Sequence, residues 1–578
     1  MTPKKYRRGH LPGKPVKNEN NEKLVQLVDF INNQLLAKSS TDSKGAKDHK
    51  STGKSPELTT GMLEILNDIY ANPAKVGARD LVDWFMTNGG KEPRRRYQAE
   101  VVNHFCHSGE FRELQSNSAN LSLTKSCLID DRTSNGKVSV RLGQRKSLAP
   151  REMYSRLVEK RFHEPQSNGG PQRPNVDRRL VFIMNPDSHA LVSVMATAPR
   201  YQKNALIHFL YSYIASQPYI GVQSKPQGLV TYELSFHLPF YSWKSTQREP
   251  RDTRLRRDGS PLRKVQDMSC LRGNSPITTA MDYLCQAQIA VCITPIGGGV
   301  WTGYCFVDTY FQSEDERQCV EDYCDRGVQL DPFTTGKHDA DLPILDPDDY
   351  FLTSLECQLL VFKDEWMNTA QMFTQKVETY VDEFDFALAS KESQQPLAWL
   401  RHARRKLTEL VVCLETTIDC WDNFTYPDHM QTRYGRQSMV SIEQTFAEVR
   451  NCLKELYNIR TLCDEHERTL NLHNIDEQYR ISRMQAEVAE STQVLSCFLL
   501  YVVSPITLAA AILSMQEEAI PDFLGPTKLS FFLLTPMLIL LVSVVARLVQ
   551  HWDKVQLYMS YPGNWVQTRK RNVNAGIV

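Results

Sequence analysis

Residues 494–549 read VLSCFLLYVVSPITLAAAILSMQEEAIPDFLGPTKLSFFLLTPMLILLVSVVARLV, and this stretch decides the fold. No Asp, Glu, Lys or Arg lies between Ser491 and Gln516, nor between Leu529 and Ala546. A helix needs roughly 20 apolar residues to cross about 30 Å of hydrocarbon. The second run carries twelve Leu, Ile, Phe or Val residues. They are worth roughly −4 to −7 kcal/mol on insertion scales before polar groups are counted. The core helix of a soluble protein is the alternative, but two adjacent uncharged runs speak against it. The reading is a transmembrane hairpin over 491–550, with spans at about 494–514 and 529–549.

The connector from Met515 to Lys528 is short, so the two spans are expected to be antiparallel. Arg480, Arg483, Arg547, Lys554, Arg569, Lys570 and Arg571 flank the hairpin, whereas the connector holds Lys528 alone. By the positive-inside tendency, both termini and the soluble region face the cytosol or matrix. The connector, with Glu517, Glu518 and Asp522, then faces outward.

The first span has two unlike sides. Gln493, Cys497, Leu500, Ser504, Thr507, Ala511 and Ser514 repeat at alternating intervals of four and three, giving a mostly small or polar face. Leu495, Phe498, Val502, Ile506, Ala509 and Leu513 fall opposite. In lipid, a small and polar stripe belongs against another helix or along a wet path. Spacing alone favours close packing over a pore. One two-helix chain cannot enclose a pore, so a pore requires a homo-oligomer.

Upstream of the hairpin the texture changes several times. Residues 1–60 are polar and basic at the front, and Lys38–Ser55 cannot bury enough apolar surface to order itself. Residues 61–106 carry a helical pattern, with Leu63, Leu66, Leu81, Val82 and Phe85 on its apolar positions. Residues 107–174 are polar and read as a flexible linker. From 175 to 345 an α/β domain with a mixed or antiparallel sheet is expected. RRLVFIM (178–184), ALVSVMAT (190–197), LVTYELSFHLPFY (229–241), QAQIAVCIT (286–294) and VWTGYCFVDT (300–309) look β-prone. A helix is expected between Ala205 and Ile214. Pro295–Gly299 reads as a hairpin loop. The charged insertion at 244–276 is expected to place Arg251–Lys264 in an exposed loop.

A helical stalk follows over 346–490. Asp346-Pro347-Asp348-Asp349 is a helix start: an N-cap Asp, Pro in the first position and acids in the first turn. Helices are expected over 349–392 and 395–424. A third begins near Ser438, with an apolar stripe at Ile442, Phe446, Val449, Leu453 and Leu456 that also suits a coiled coil. It feeds into the membrane, and Asn471–Asn474 is its weakest point. Residues 551–578 form a basic tail.

The totals exclude several classes. Lys plus Arg number 68 against 67 Asp plus Glu, so no global field points to nucleic acid. The 14 cysteines include no CxxC pair, which argues against a zinc ribbon or disulfide framework. MTPKKYRRGHLPGKP has no apolar core and does not read as a secretory signal. Gly297–Gly299 lacks a following Lys-Ser/Thr pair, and no G-x-S-x-G or H-E-x-x-H occurs, so no enzyme is expected. Cys319 and Cys324 lack further partners for zinc. Ser313–Arg317 with Glu321, Asp322 and Asp325 reads foremost as a solvated acidic face.

RMQAEVAESTQVLSCFLLYVVSPITLAAAILSM, the short acidic connector and the second span together resemble the CorA-like magnesium transporter superfamily, its divergent filamentous-fungal members in particular. The runs RRLVFIMNPDSHALVSVMATAPRYQKNALIHFLYSYIASQPYIGV and YELSFHLPFY look like the α/β domain of those proteins. The resemblance covers about 175–560. It implies an α+β cytosolic domain, long stalk helices and a two-helix C-terminal transmembrane hairpin, assembled as a homopentamer around the first span. It also implies that a Gly-Met-Asn signature ends that span and meets the hydrated ion. The matching residues are Ser514, Met515 and Gln516, of which the Met alone is kept. A Gln amide can still hydrogen-bond a hydrated cation.

These readings lead to an expected function. The chain would be a divalent-cation channel or transporter, Mg²⁺ first, lodged in a bilayer and working without a cofactor. The ion would pass Ser514, Met515 and Gln516, then Ala511, Thr507, Ser504 and Cys497. Glu517, Glu518 and Asp522 would concentrate cations at the mouth, or else be a solvated loop. The alternative is a membrane-anchored binding or signalling protein that keeps the scaffold and has lost conduction.

Overall fold

The computed structural model describes residues 78–87, 92–108, 114, 124–135, 138–162, 174–224, 232–271, 280–297, 299–313, 319–324, 329–383, 394–425, 433–514 and 527–559. The fold class expected from the sequence is present: a mixed α/β part, a long C-terminal helix and a second apolar helix. The chain divides into two compact units, residues 1–467 and 468–578.

The first unit is organised by β4 (Arg178–Met184), whose seven residues are all buried. Burial on both faces explains why RRLVFIM is apolar without alternating. Around it lie β1 (Cys127–Asn135), β2 (Val138–Arg141), β5 (Tyr219–Ser224), β6 (Tyr232–Thr246), β8 (Met281–Gly297) and β9 (Val300–Val307), in the order β2-β1-β4-β9-β8-β6-β5. Two short strands, β3 (Ser147–Leu148) and β7 (Val265–Asp267), pair with β1 and β8. Neighbours are antiparallel except β4 and β9, which run parallel. The β8–β9 hairpin turns at Gly299, whose φ of 78° is one that a side chain would strain.

Helices cover both faces of the sheet. One layer holds α1 (Ala78–Thr87), α2 (Pro93–Phe105), α3 (Pro150–Val158), α4 (Ser188–Thr197) and α5 (Lys203–Ile214). Phe85, Val102, Leu191, Leu206 and Phe209 form one buried cluster with Val181, Ile183, Ala290 and Phe306 of the sheet. The other layer holds α6 (Pro347–Glu383) and α7 (Gln394–Asp422). Phe351, Phe362 and Phe373 of α6 meet Phe236, Phe240 and Trp243 of β6, with ring centroids 5.7, 6.5 and 5.2 Å apart. Spacings of eleven residues bring three phenylalanines back to one helix face. The Asp346 carboxylate caps α6, accepting from the Asp348 and Asp349 amides at 3.0 Å each. Tyr380 of α6 stacks on Trp399 of α7 at 3.7 Å. Trp421 of α7 stacks on Phe446 of α8 (Arg433–Phe498) at 4.8 Å. Ile442, Phe446, Val449 and Leu456 are buried, and Leu453 is half-buried.

Four expectations need correction. Residues 107–174 are no simple linker, because β1, β2, β3 and α3 lie there. Their cores are short and flanked by charge, which masked them. The β-prone ALVSVMAT is α4, started by Asp187, whose carboxylate accepts from the Ala190 amide at 2.8 Å. A fully buried apolar run carries no period to separate helix from strand. The insertion at 244–276 is partly buried, since Asp252, Arg254, Leu262 and Arg263 all lie inside. Residues 551–559 continue a helix, so the tail is helical at its start. Residues 1–77 and 560–578 lie outside the described residues.

The second unit contains the rest of α8, which stays helical through Asn471–Asn474, then a π turn over Leu499–Val503. After it come α9 (Ser504–Leu513) and α10 (Lys528–Met559). The π turn has a local cause. Pro505 has no amide proton for the Tyr501 carbonyl and would crowd it in a regular α-helix. The backbone widens by one residue, and the Ser504 amide reaches back to the Leu499 carbonyl.

Candidate functional site

Two helical stretches, Gly435–Leu513 and Lys528–Val549, are long and apolar enough to cross a membrane. The site expected from the sequence lies on the first. Pro505 and Ala509 are the buried residues of α9, and α9 packs against α10. At 100° per residue these two positions share one side of the helix. Ser504, Thr507, Ala511 and Ser514 fall roughly opposite, and all four are exposed, as is Cys497. These small or polar positions therefore lie off the buried side of α9. Ala509, the small member of the apolar side, is the residue that lets α10 approach.

The Thr507 and Ser514 hydroxyls on the stripe are held by their own helix. Thr507 Oγ1 lies 3.0 Å from the Val503 carbonyl oxygen and 2.9 Å from that of Ser504, and donates to one of them. Ser514 Oγ donates to the Ala511 carbonyl at 2.9 Å. A hydroxyl whose proton is spent inward presents oxygen lone pairs outward. Such a surface can accept hydrogen bonds from the water shell of a cation without itself bearing charge. Ser514 also ends α9, its amide reaching the Ala510 and Ala511 carbonyls at 3.0 and 3.3 Å. Met515, Gln516, Glu517, Glu518 and Asp522 lie outside the described residues.

Other candidates from the sequence resolve differently. Asp322 accepts from the Cys319 amide at 2.9 Å and lies beside its thiol at 3.3 Å, closing a short turn. Glu314–Arg317 and Asp325 lie outside the described residues. Among the described residues, no group of three or more His, Cys, Asp or Glu is placed to hold a metal ion.

The soluble unit holds a charged centre that spacing along the chain did not reveal. Asp308, just past β9, is completely buried. Arg254 and Arg263 of the supposed loop reach it at 2.7 and 2.6 Å, and the Tyr213 hydroxyl also donates to it. Asp252 binds Arg254 through both oxygens at 2.7 and 2.9 Å, and the Gln288 amide adds a 2.9 Å bond to Asp308. Burial pushes the Asp308 carboxyl up, but Arg254 and Arg263 outweigh it and hold it below the ordinary carboxylate value. A second set joins Asp131 to Arg179 at 2.7 and 2.9 Å, and Arg178 lies over the Trp301 and Tyr350 rings. The signal for these sets was faint: an Asp inside a basic run, and paired arginines opening an apolar strand. Both centres anchor the fold.

No protein-family model matches the sequence, and no curated protein sequence matches it. Among solved structures it is similar to the cytoplasmic domain of ZntB from Vibrio parahaemolyticus, at 7% identity and TM-score 0.29, over 61% of this chain and 99% of that one. It is also similar to the CorA magnesium transporter of Methanocaldococcus jannaschii, at 9% identity and TM-score 0.26, over 74% and 98% of the two chains. For the full-length CmaX protein the values are 11%, 0.29, 76% and 99%. Similarity this low leaves the functional reading to the residues of this chain.

Proposed function

We propose that this chain is the subunit of a homo-oligomeric divalent-cation channel or transporter of the CorA-like class, with Mg²⁺ as its first cargo. One observation carries the reading. Ser504, Thr507, Ala511 and Ser514 are exposed on the side of the first span turned away from its own second span. Packing between the two spans of one chain thus does not account for the stripe. Copies arranged with the stripes inward would line a path with hydroxyl and methyl groups. Mg²⁺ sheds its waters reluctantly, and such a lining suits passage with much of the water shell in place. The electrochemical gradient would drive the ion, and no covalent chemistry is required. Five copies is the number that the sequence resemblance implies. The lipid bilayer and further copies of the chain are then its partners, with both termini on the cytosolic or matrix side.

Ser514-Met515-Gln516 at the mouth supports a second reading, a non-conducting membrane-anchored binding or signalling protein. Gln adds a methylene of reach, and Ser narrows the backbone freedom that Gly would give. The purified protein reconstituted in liposomes containing a Mg²⁺-sensitive dye separates the two. Cation-dependent dye response across the membrane supports transport. Confirmed oligomers with no response would leave the second reading.

A further inference from the structure

We propose that the cleft between α1, α2 and the Arg251–Lys264 segment binds a small phosphate-bearing anion. The cleft has a volume of about 760 Å³, within the range of small-molecule sites. Arg79 of α1, Arg96 of α2 and Arg257 of the segment line it, together with His104 and His107. Among the described residues none of the three guanidiniums makes an ion pair. Two acids share the wall. Asp83 is engaged, accepting from the Asn103 side-chain amide while the Thr87 hydroxyl donates to its carbonyl at 2.7 Å. Glu100 is the other acid of the lining. Even with both histidines neutral, the wall is net positive by one, three cations less two acids.

The backbone around the cleft is fixed in place. The Arg257 amide donates to the His104 carbonyl at 2.8 Å, which ties the segment to α2. On either side of Arg257, Arg254 and Arg263 are locked into the protein by Asp308. Between them Leu255 bridges Pro261, and Gly259 makes the turn at φ 79°. Lys203 clamps α1 from the other side, its ammonium 3.1 Å from the Trp84 carbonyl oxygen and 3.8 Å from the Trp84 ring centroid. The three arginines are exposed, so their guanidiniums can turn toward one ligand, and a bound polyanion would offset the repulsion between like charges gathered on one wall. Guanidiniums suit this task because each offers a planar fork of N–H donors matched to phosphate oxygens. No Phe, Tyr or Trp side chain lines the cleft among the described residues, so the phosphates themselves are what it reads. This inference is independent of the transport reading.

The test is thermal unfolding of the full-length protein in detergent, in metal-free buffer, with pyrophosphate as titrant. A ligand that binds the folded state raises the melting temperature saturably. The expected result is a saturable rise for the native chain, and no rise for the triple variant Arg79→Gln, Arg96→Gln, Arg257→Gln. Arg257→Gln alone should weaken apparent affinity by about tenfold, the size of one lost charge-assisted hydrogen bond. If the triple variant does not fold, this single variant decides. Arg94→Gln, exposed on α2 but outside the cleft, should titrate like the native chain. The proposal is overturned by the absence of a saturable rise in the native chain, by an unchanged affinity in Arg257→Gln, or by an equal loss in Arg94→Gln.

Discussion

At the scale of single residues, Asp308 is where removal of a few atoms should matter most. It compensates two buried guanidiniums at once. Asp308→Asn leaves Arg263 without a counter-charge and Arg254 with Asp252 alone, and breaking a buried pair in this way costs about 3–5 kcal/mol. Urea unfolding at neutral pH should show that loss, and an unchanged midpoint would contradict the anchoring role. The pH dependence has a definite sign. The folded carboxyl lies below its ordinary value, so the unfolded chain binds its proton first as pH falls. The stabilisation is therefore present above the unfolded value, about 4, and is lost as pH falls through the folded one. The native chain should lose stability across that acid range, and Asp308→Asn should lack this part of the slope. None of this could be read along the chain, because Arg254 and Asp308 are 54 residues apart. Only the pairing of β8 and β9 and the fold of the insertion bring them together. The stripe on the first span is the opposite case, since Ser504, Thr507 and Ala511 lie within two turns and period alone groups them.

At the scale of elements, the π turn before Pro505 is a built distortion with a single cause. Pro505→Ala returns an amide proton to position 505 and lets the Tyr501 carbonyl regain a regular partner. Pro inside a helix costs about 3 kcal/mol, so the variant should unfold at a higher temperature in detergent, and no rise would contradict this account. Removing the inserted residue of a π turn also rotates everything before it against everything after it, so Cys497 should shift in thiol-reagent accessibility. Ala509→Leu tests the contact between the two spans. The added bulk faces α10 directly and should lower thermal stability by an overpacking cost of about 1–3 kcal/mol. The same substitution at Ala511, on the exposed face, should leave the stability of the monomer nearly unchanged. Element type was legible where period or a cap was present, as at Asp346-Pro347 and Ile442–Leu456. It was not legible at ALVSVMAT, which is buried almost all round and whose β-branched residues point the wrong way.

At the scale of the whole molecule, the folded α/β part is larger than the sequence suggested. Residues around β1–β3 and α3 join the sheet and its helical layer. Their short apolar runs acquire meaning only when laid against β4, which is why composition alone read them as a linker. For the membrane part, the distribution of Lys and Arg sets the expected orientation. A cysteine placed at Asp522 should react with an impermeant reagent from the outside only, and labelling confined to the cytosolic side would reverse the topology. The central claim is that the exposed stripe of the first span lines the path of the ion. Its most direct test is Mg²⁺ flux into dye-loaded liposomes for the native chain and for Ser504→Leu and Thr507→Leu, with oligomers verified in each sample. The account predicts flux in the native chain and its loss in both variants while the oligomer stays intact. Unchanged flux in both would contradict it and return the stripe to helix packing.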